Sequence, residues 1–220
     1  FDYATGEITL GIFGTGELVV DAGGRVTARE VSVLSPTSRV EVRDGGEVLV
    51  RTTYATPYQG ANIDFGGEML VTGEGAGFVV DGYGGPGDRG AGRLQIARNE
   101  TGTVRVEESG YVAAFYTAIG RFDGAEGSLT IDGPGSRLVM DGRFGTFRNY
   151  DFDADQYLDE TDNAAFMRLG REDGSLGRLA ITNGGVASLT NFEDADGLLE
   201  PTKFAPSIQV ARRPGSEGVI

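Results

Sequence analysis

An acidic segment near the middle of the chain, DFDADQYLDETD (residues 151–162), carries oxygen-bearing side chains at mostly odd-numbered positions. Counted from its first residue, carboxylates fall at positions 1, 3, 5, 9 and 12, and position 7 would contribute a backbone carbonyl. Calcium takes six to eight oxygen ligands, and a curled loop with this spacing turns such groups toward one point. The segment therefore predicts a Ca²⁺ site with the ligands Asp151, Asp153, Asp155, Tyr157, Asp159 and Asp162.

Two residues inside this segment affect the calcium prediction. Leu158, at position 8, is apolar and could anchor the loop against a neighbouring element. Gln156 occupies position 6, where glycine normally permits the sharp turn, so binding would be weakened. The alternative is a solvated acidic loop without an ion. For a second acidic cluster, which lacks a full ligand series, we favour a solvated loop; its members are Glu193, Asp194 and Asp196.

A series of arginines follows small residues at the ends of apolar segments. In a stacked structure these arginines would form a column along one edge, which could grip an acidic polysaccharide or a phosphate group. Like charges stacked at strand spacing repel, so we favour the alternative that they pair with the acids that follow them. The arginines are Arg98, Arg121, Arg171 and Arg212, and the acids are Glu100, Asp123, Glu172 and Asp173.

Aromatic residues gather around the acidic segment and before it. They could stack on sugar rings, because the flat apolar face of an aromatic side chain can pack against the apolar face of a sugar. We favour the alternative that they pack a loop onto the body of the protein. The residues are Phe115, Tyr116, Phe144, Phe147 and Tyr150.

Catalytic chemistry is not indicated by the residue types present. The chain has no histidine and no cysteine, which excludes thiol catalysis, a histidine-based triad and a Cys/His zinc site. Glycoside hydrolysis needs two carboxylates, but among 33 acidic residues such pairs do not discriminate. We therefore predict that the chain is not an enzyme, and a polysaccharide lyase is a remote alternative.

The overall charge narrows the classes of partner. The chain has 220 residues with 33 acidic and 19 basic side chains, giving a formal net charge of −14. Nucleic acid and anionic membranes would repel such a chain, so we expect neither as a partner. No apolar run approaches the roughly 20 residues of a membrane-spanning helix. The absence of cysteine is compatible with export and leaves no disulfide framework.

Apolar residues separated by one position recur along the chain, which is the spacing of side chains on one face of a strand. They fall into three series separated by corners, many of which contain glycine. The first series is Ile8/Leu10, Val31/Val33, Ile63/Phe65, Leu94/Ile96, Thr117/Ile119, Met167/Leu169 and Ile208/Val210. The second is Leu18/Val20, Val40/Val42, Met69/Val71, Val104/Val106, Leu129/Ile131 and Leu179/Ile181. The third is Val26, Val48, Phe78, Val112, Leu138 and, less regularly, Val186 to Leu189.

Three short strands cannot bury a core alone, but stacking sets equivalent strands about 4.8 Å apart and forms continuous apolar columns. The shortest step between units, from Ile8 to Val31, is 23 residues and suits one three-sided coil. We therefore predict an all-β fold, a three-sided parallel β-helix, with at most one short helix at NAAFMR (residues 163–168). An antiparallel sandwich is the alternative, but it gives no reason for the triplet to recur.

The domain organisation follows from the same series. We expect residues 1–220 to form a single β-helix section. Longer steps between some units indicate insertions near 52–61, 81–92, 142–165 and 190–206, which in a solenoid leave the core as loops. Because residues 208–220 match only the first two strands of a unit, we expect the chain to be a section of a longer protein.

Two sequence segments resemble a known repeat. AIGRFDGAEGSLTIDGPGSRLVM (118–140) and RLGREDGSLGRLAITNGGVASL (168–189) resemble the autotransporter (type V secretion) and PEP-CTERM-associated repeats of bacterial surface proteins. The resemblance implies a right-handed parallel β-helix, export and no catalytic activity. The units at 31–48 and 63–80 depart from the repeat pattern. The acidic segment resembles the calcium loops of dockerin modules and related EF-hand-like segments, which commonly end in Asp.

Together these observations predict a structural repeat section, a stalk or passenger, of an exported bacterial protein at the cell surface or outside the cell. We expect a role in adhesion or surface assembly, with calcium stabilisation. The predicted partners are neighbouring β-helix repeats of the parent protein or of other copies, with surface polysaccharide as a second class. The alternative function is a glycan-binding β-helix module.

Overall fold

The computed structural model describes residues 6–51, 60–82, 92–142, 147–151, 156–162, 165–190 and 206–220. In these ranges the chain forms 22 β-strands and no α-helix, and accordingly no helix there could cross a membrane. Twenty of the strands form three parallel sheets, A, B and C, and the other two form an antiparallel hairpin.

Each sheet stacks its strands in a regular spatial order. Sheet A contains β1 (Glu7–Leu10), β4 (Glu30–Val33), β7 (Gly60–Ile63), β10 (Arg93–Ile96), β13 (Tyr116–Ile119), β18 (Phe166–Leu169) and β21 (Ser207–Val210). Sheet B contains β2 (Glu17–Val20), β5 (Arg39–Arg43), β8 (Gly67–Thr72), β11 (Thr101–Glu107), β14 (Glu126–Asp132), β19 (Leu176–Thr182) and β22 (Glu217–Val219). Sheet C contains β20 (Val186–Thr190), β15 (Arg137–Asp141), β12 (Tyr111–Ala114), β9 (Gly77–Asp81), β6 (Glu47–Arg51) and β3 (Arg25–Ala28). The hairpin consists of β16 (Phe147–Asp151) and β17 (Gln156–Asp162).

The chain visits sheets A, B and C in turn, and we call one such passage a coil. Each strand pairs in parallel with the equivalent strands of the coils before and after it. Among the described residues, six coils contribute a strand to all three sheets, and a seventh contributes β21 and β22. The predicted three-sided parallel β-helix is therefore confirmed. The sandwich alternative is wrong, because the three large sheets contain only parallel pairs.

The core is a set of apolar columns that run along the stack. Alternate side chains of each strand point inward, and register pairing places equivalent residues directly above one another. In sheet B the predicted wall forms as expected, and most of its side chains are fully buried. Burying each aliphatic side chain contributes about 1.5–3 kcal/mol. The wall consists of Leu18, Val40, Met69, Val104, Leu129 and Leu179.

The third coil corrects the predicted register of sheet A. Its inward pair is Ala61/Ile63, not Ile63/Phe65, because Ala61 pairs with Val31 and Ile63 with Val33. Phe65 lies in the corner after the strand at a φ of 53°, with 37% of its surface exposed. Asp64 starts this corner, and its buried carboxylate accepts hydrogen bonds from backbone N–H groups of the next coil.

The end of sheet C and the predicted short helix need similar corrections. In β20 the inward residues are Ala187 and Leu189, whereas Val186 is 53% exposed. No helix forms at 165–168, because Met167 and Leu169 continue the inward columns of sheet A in strand β18. Pairing with the neighbouring coil outweighs the weak local helix preference of this short segment.

Candidate functional site

The corner between sheets A and B positions the arginine column, which we define as Arg98, Arg121, Arg171 and Arg212. Its backbone is tied from coil to coil: Arg121 N donates to Ala97 O at 3.0 Å, and Arg171 N donates to Gly120 O at 3.1 Å. Arg212 N continues the series with Gly170 O at 3.1 Å. The predicted column therefore forms along one edge of the β-helix.

Two of these arginines, Arg121 and Arg171, follow a glycine for a steric reason, whereas Arg98 and Arg212 follow an alanine. Gly120 adopts a φ of +67°, and a Cβ added there would lie 2.3 Å from the carbonyl oxygen of Leu176 in the next coil. A Cβ added at Gly170 would likewise clash with the carbonyl oxygen of Glu217. The left-handed backbone also favours glycine. The close approach of the next coil thus leaves no room for a Cβ before Arg121 and Arg171.

Arg98 and Arg121 share an aromatic neighbour and have no carboxylate partner in the described part of the chain. Their Cζ atoms lie 5.6 Å and 4.8 Å from the centroid of the Phe122 ring, a distance at which cation–π attraction operates. Arg121 Nη1 also donates to Gln95 Oε1. The Nε atoms of both arginines are buried and find no hydrogen-bond partner among the residues that the structure describes.

The predicted pairing of the column with acids occurs at one position only within the described ranges. Arg171 Nε lies 3.2 Å from Glu172 Oε1, and Glu172 Oε2 also lies 2.5 Å from Arg213 Nη1. Glu172 is only 8% exposed, and these two arginines compensate its buried charge. In the same ranges no ion pair joins the column to Glu100, Asp123 or Asp173, and these three acids are exposed. The ion-pairing hypothesis is therefore wrong for Arg98 and Arg121.

The positive charges of this region perturb one another. Burial lowers the pKa of Arg121 to about 10, and the charges of Arg171, Arg93 and Arg98 act in the same direction. Burial likewise lowers the pKa of Arg168, on the outer face of sheet A, and Arg212 and Arg171 add to the effect. A concentration of cations in a chain of net charge −14 is unexpected from composition alone.

A buried polar track runs beside the column on the outer face of sheet A. Ser32 Oγ donates to Glu30 Oε1 at 2.8 Å, and Asn62 Nδ2 lies 3.3 Å from Ser32 Oγ. Gln95 Nε2 donates to Asn62 Oδ1 at 2.9 Å, and Gln95 Oε1 accepts the bond from Arg121. Sequence reasoning missed this track. Its signal is a polar residue between the two inward apolar residues of three successive sheet A strands.

Aromatic side chains occupy the adjoining part of the same face. Phe115 and Tyr116 are 0% and 3% exposed. The Tyr116 and Phe166 rings stack with centroids 4.4 Å apart, and Phe115 meets Phe166 edge to face at 6.1 Å. Arg168 Cζ lies 5.0 Å from the Phe166 centroid. The packing interpretation is therefore supported for Phe115 and Tyr116, whose buried rings leave no face open to a sugar.

The described residues of the acidic segment, 151 and 156–162, lie in the β16–β17 hairpin. The register pairs Asp151 with Gln156 at one end of the hairpin and Phe147 with Asp162 at the other. Gln156 and Asp162 are six residue steps apart along the extended strand, about 20 Å, so Asp151, which pairs with Gln156, is not a neighbour of Asp162 in this backbone.

Other predicted residues of the acidic segment lie on the two hairpin strands. Tyr157 and Asp159 lie on β17, and Tyr150 lies on β16. Within the described ranges there is no group of three or more carboxylates that could hold a metal. Calcium binding by this segment stays a prediction, because part of the ligand set lies outside the described residues. The predicted residues outside are Asp153, Asp155, Phe144, Glu193, Asp194 and Asp196.

Comparison with known proteins adds little to this picture. No family model and no curated protein sequence matches the chain. Among solved structures, the chain is weakly similar to the crystal structure of a TibC-catalysed, hyper-glycosylated TibA fragment, with 14% sequence identity and a TM-score of 0.17. The alignment covers 99% of this chain and 81% of that one. A TM-score this low supports no inference, so the fold assignment rests on the strand pairing.

Proposed function

We propose that the chain is a rigid structural section, a stalk or passenger, of an exported bacterial surface or matrix protein, with a role in adhesion or surface assembly. The observation that carries the proposal is the continuity of three parallel sheets and one apolar core through successive coils. Such a solenoid resists bending, because every coil is hydrogen-bonded to its neighbours. Export is supported by the residues that resemble surface-protein repeats.

Rigidity can be measured with spin labels, and the absence of native cysteine makes specific labelling simple. Arg25 and Val186 are exposed and lie in one register column of sheet C, five coil steps apart. Pulsed electron paramagnetic resonance of the double variant R25C/V186C should give one narrow distance distribution. Its centre should lie at about 24 Å, the backbone separation expected over five coil steps. R25C/R137C should be shorter by about 5 Å, one step. A broad distribution in both would contradict a rigid section.

Calcium stabilisation is a second part of the proposal, supported by the spacing of the carboxylates in residues 151–162. Millimolar calcium should raise the melting temperature of the wild-type chain, and D151A/D155A should abolish the rise. D123A/D173A removes two exposed acids from the A–B corners and should preserve it. If titration calorimetry of the wild type shows no calcium heat, this part is wrong, and the rigid section is unaffected.

The proposal assigns no catalytic activity to the chain. Its support is the residue composition, because the chain lacks histidine and cysteine, which most often serve as general base and activated nucleophile. Incubation with polygalacturonate or alginate should therefore produce no absorbance from unsaturated sugar products. Appearance of that absorbance, lost in a variant of the arginine column, would favour a lyase instead.

A further inference from the structure

We propose that the arginine column is a binding site for a linear polysaccharide that carries carboxylates on successive sugars. This goes beyond the scaffold role, which needs no ligand. The residues that would contact the carboxylates are Arg98 and Arg121, extended by Arg171 and Arg212 along the same edge.

The first argument is the uncompensated charge of Arg98 and Arg121. Both are half-buried, so part of each side chain stays open to solvent, and the acids nearest in sequence form no ion pair with them in the described ranges. Two guanidinium groups one coil apart repel each other, and a bound anion would reduce that repulsion. A carboxylate can accept two parallel N–H bonds from a guanidinium, and such charge-assisted bonds are stronger than neutral ones.

The second argument is that the site is held in place before any ligand arrives. Phe122 lies against both guanidinium groups, and Gln95 accepts a hydrogen bond from Arg121. Gln95 is itself fixed by Asn62 in the buried polar track, with an exposure of 1%. Little conformational entropy would therefore be lost when a ligand binds.

The third argument concerns the shape of the ligand. The column repeats at the coil step of about 4.8 Å and spans about 14 Å over its three steps. An extended polyanion lying along this edge can therefore place several of its carboxylates near the arginines of different coils at once. Exposed acids flank the column at Glu100, Asp123 and Asp173. A flat anionic membrane would approach all of them within a Debye length of about 8 Å, whereas a narrow polymer strand meets the arginines alone.

The experiment measures binding of a six-residue oligogalacturonate to the whole chain by calorimetry at physiological ionic strength. R98Q/R121Q should weaken binding about tenfold or more, because each lost charge-assisted bond contributes more than the roughly 1.4 kcal/mol that a factor of ten represents. R105Q/R178Q is the matched control: it removes the same charge from the outer face of sheet B and should change the affinity less than about twofold.

A second comparison does not depend on the variants folding. The fully methyl-esterified hexamer has the same sugar backbone without charge, and the wild-type chain should not bind it. Monomeric galacturonate should bind far more weakly than the hexamer. Three results would each overturn the proposal: no heat with the charged hexamer, equal binding of the ester, or an equal loss of affinity in R98Q/R121Q and R105Q/R178Q.

Discussion

Thr117 places a hydroxyl in an interior column whose other members are apolar. It stands between Leu94 and Met167 in the register of sheet A. It is fully buried, and its Oγ1 has no hydrogen-bond partner in the part of the chain that the structure describes. An unsatisfied buried hydroxyl costs about 1–3 kcal/mol, so the side chain destabilises the coil that contains it.

Thr117→Val should therefore raise the free energy of unfolding by about 1 kcal/mol, because valine has the same shape without the hydroxyl. Urea denaturation followed by circular dichroism measures the difference. Thr117→Ser is the control: it keeps the hydroxyl and loses a buried methyl group, so it should lower stability. A valine variant less stable than the wild type would show that the hydroxyl has a partner after all.

Corners are the elements that hold neighbouring coils in register outside the sheets. At the corner between sheets B and C, Asp132 accepts hydrogen bonds from Thr182 Oγ1 at 2.5 Å and from Asn183 Nδ2 at 2.7 Å. These bonds link the fifth coil to the sixth. They hold the pKa of Asp132 below its ordinary value, with Thr182 as the larger cause.

A depressed carboxyl pKa stabilises the fold at pH values above the ordinary carboxyl pKa, and this contribution disappears as the pH falls through the folded-state pKa. Thr182→Val should therefore raise the pKa of Asp132, measured by carboxyl-carbon NMR. The melting temperatures of variant and wild type should differ most at neutral pH and converge in acid. An unchanged Asp132 pKa in the variant would show that the bond is not formed in solution.

We expect the β-helix to tolerate the loss of a complete coil. Residues 93–115 make up one coil without an insertion. Removing them would join Gly92 to Tyr116 and let β13 take the place of β10 beside β7. The shortened chain should still unfold cooperatively, with a smaller denaturant dependence because less surface is exposed. Removal of residues 93–103, which is half a coil, breaks the period and should abolish cooperative unfolding. Loss of folding in both deletions would contradict modularity.

Sequence alone predicted the fold well wherever inward residues were plainly apolar. The sheet B wall from Leu18 to Leu179 was found because no competing register offered the same alternation. The prediction for the third coil was wrong because Ile63-Asp64-Phe65 also alternates apolar and polar residues. Only the pairing of Ile63 with Val33 shows that Ile63 is the second inward residue of its strand.

The sequence predicted the position of the arginine column but not the groups that contact its side chains. Small residues before Arg121 and Arg171 marked the column, because the corner geometry recurs in each coil. Sequence could not show that Gln95 would be buried on an outer face, since that depends on what covers the sheet. It also could not show that Glu100 and Asp123 would remain exposed beside the arginines.

Parallel pairing between adjacent coils has a kinetic consequence. Register partners are separated by 22 residues between Glu17 and Arg39 and by 50 between Glu126 and Leu176, and separation does not grow with the number of coils. The entropy lost in closing each loop is therefore similar early and late in the chain. A polypeptide emerging gradually from a pore would add one ordered layer at a time, each templated by the last.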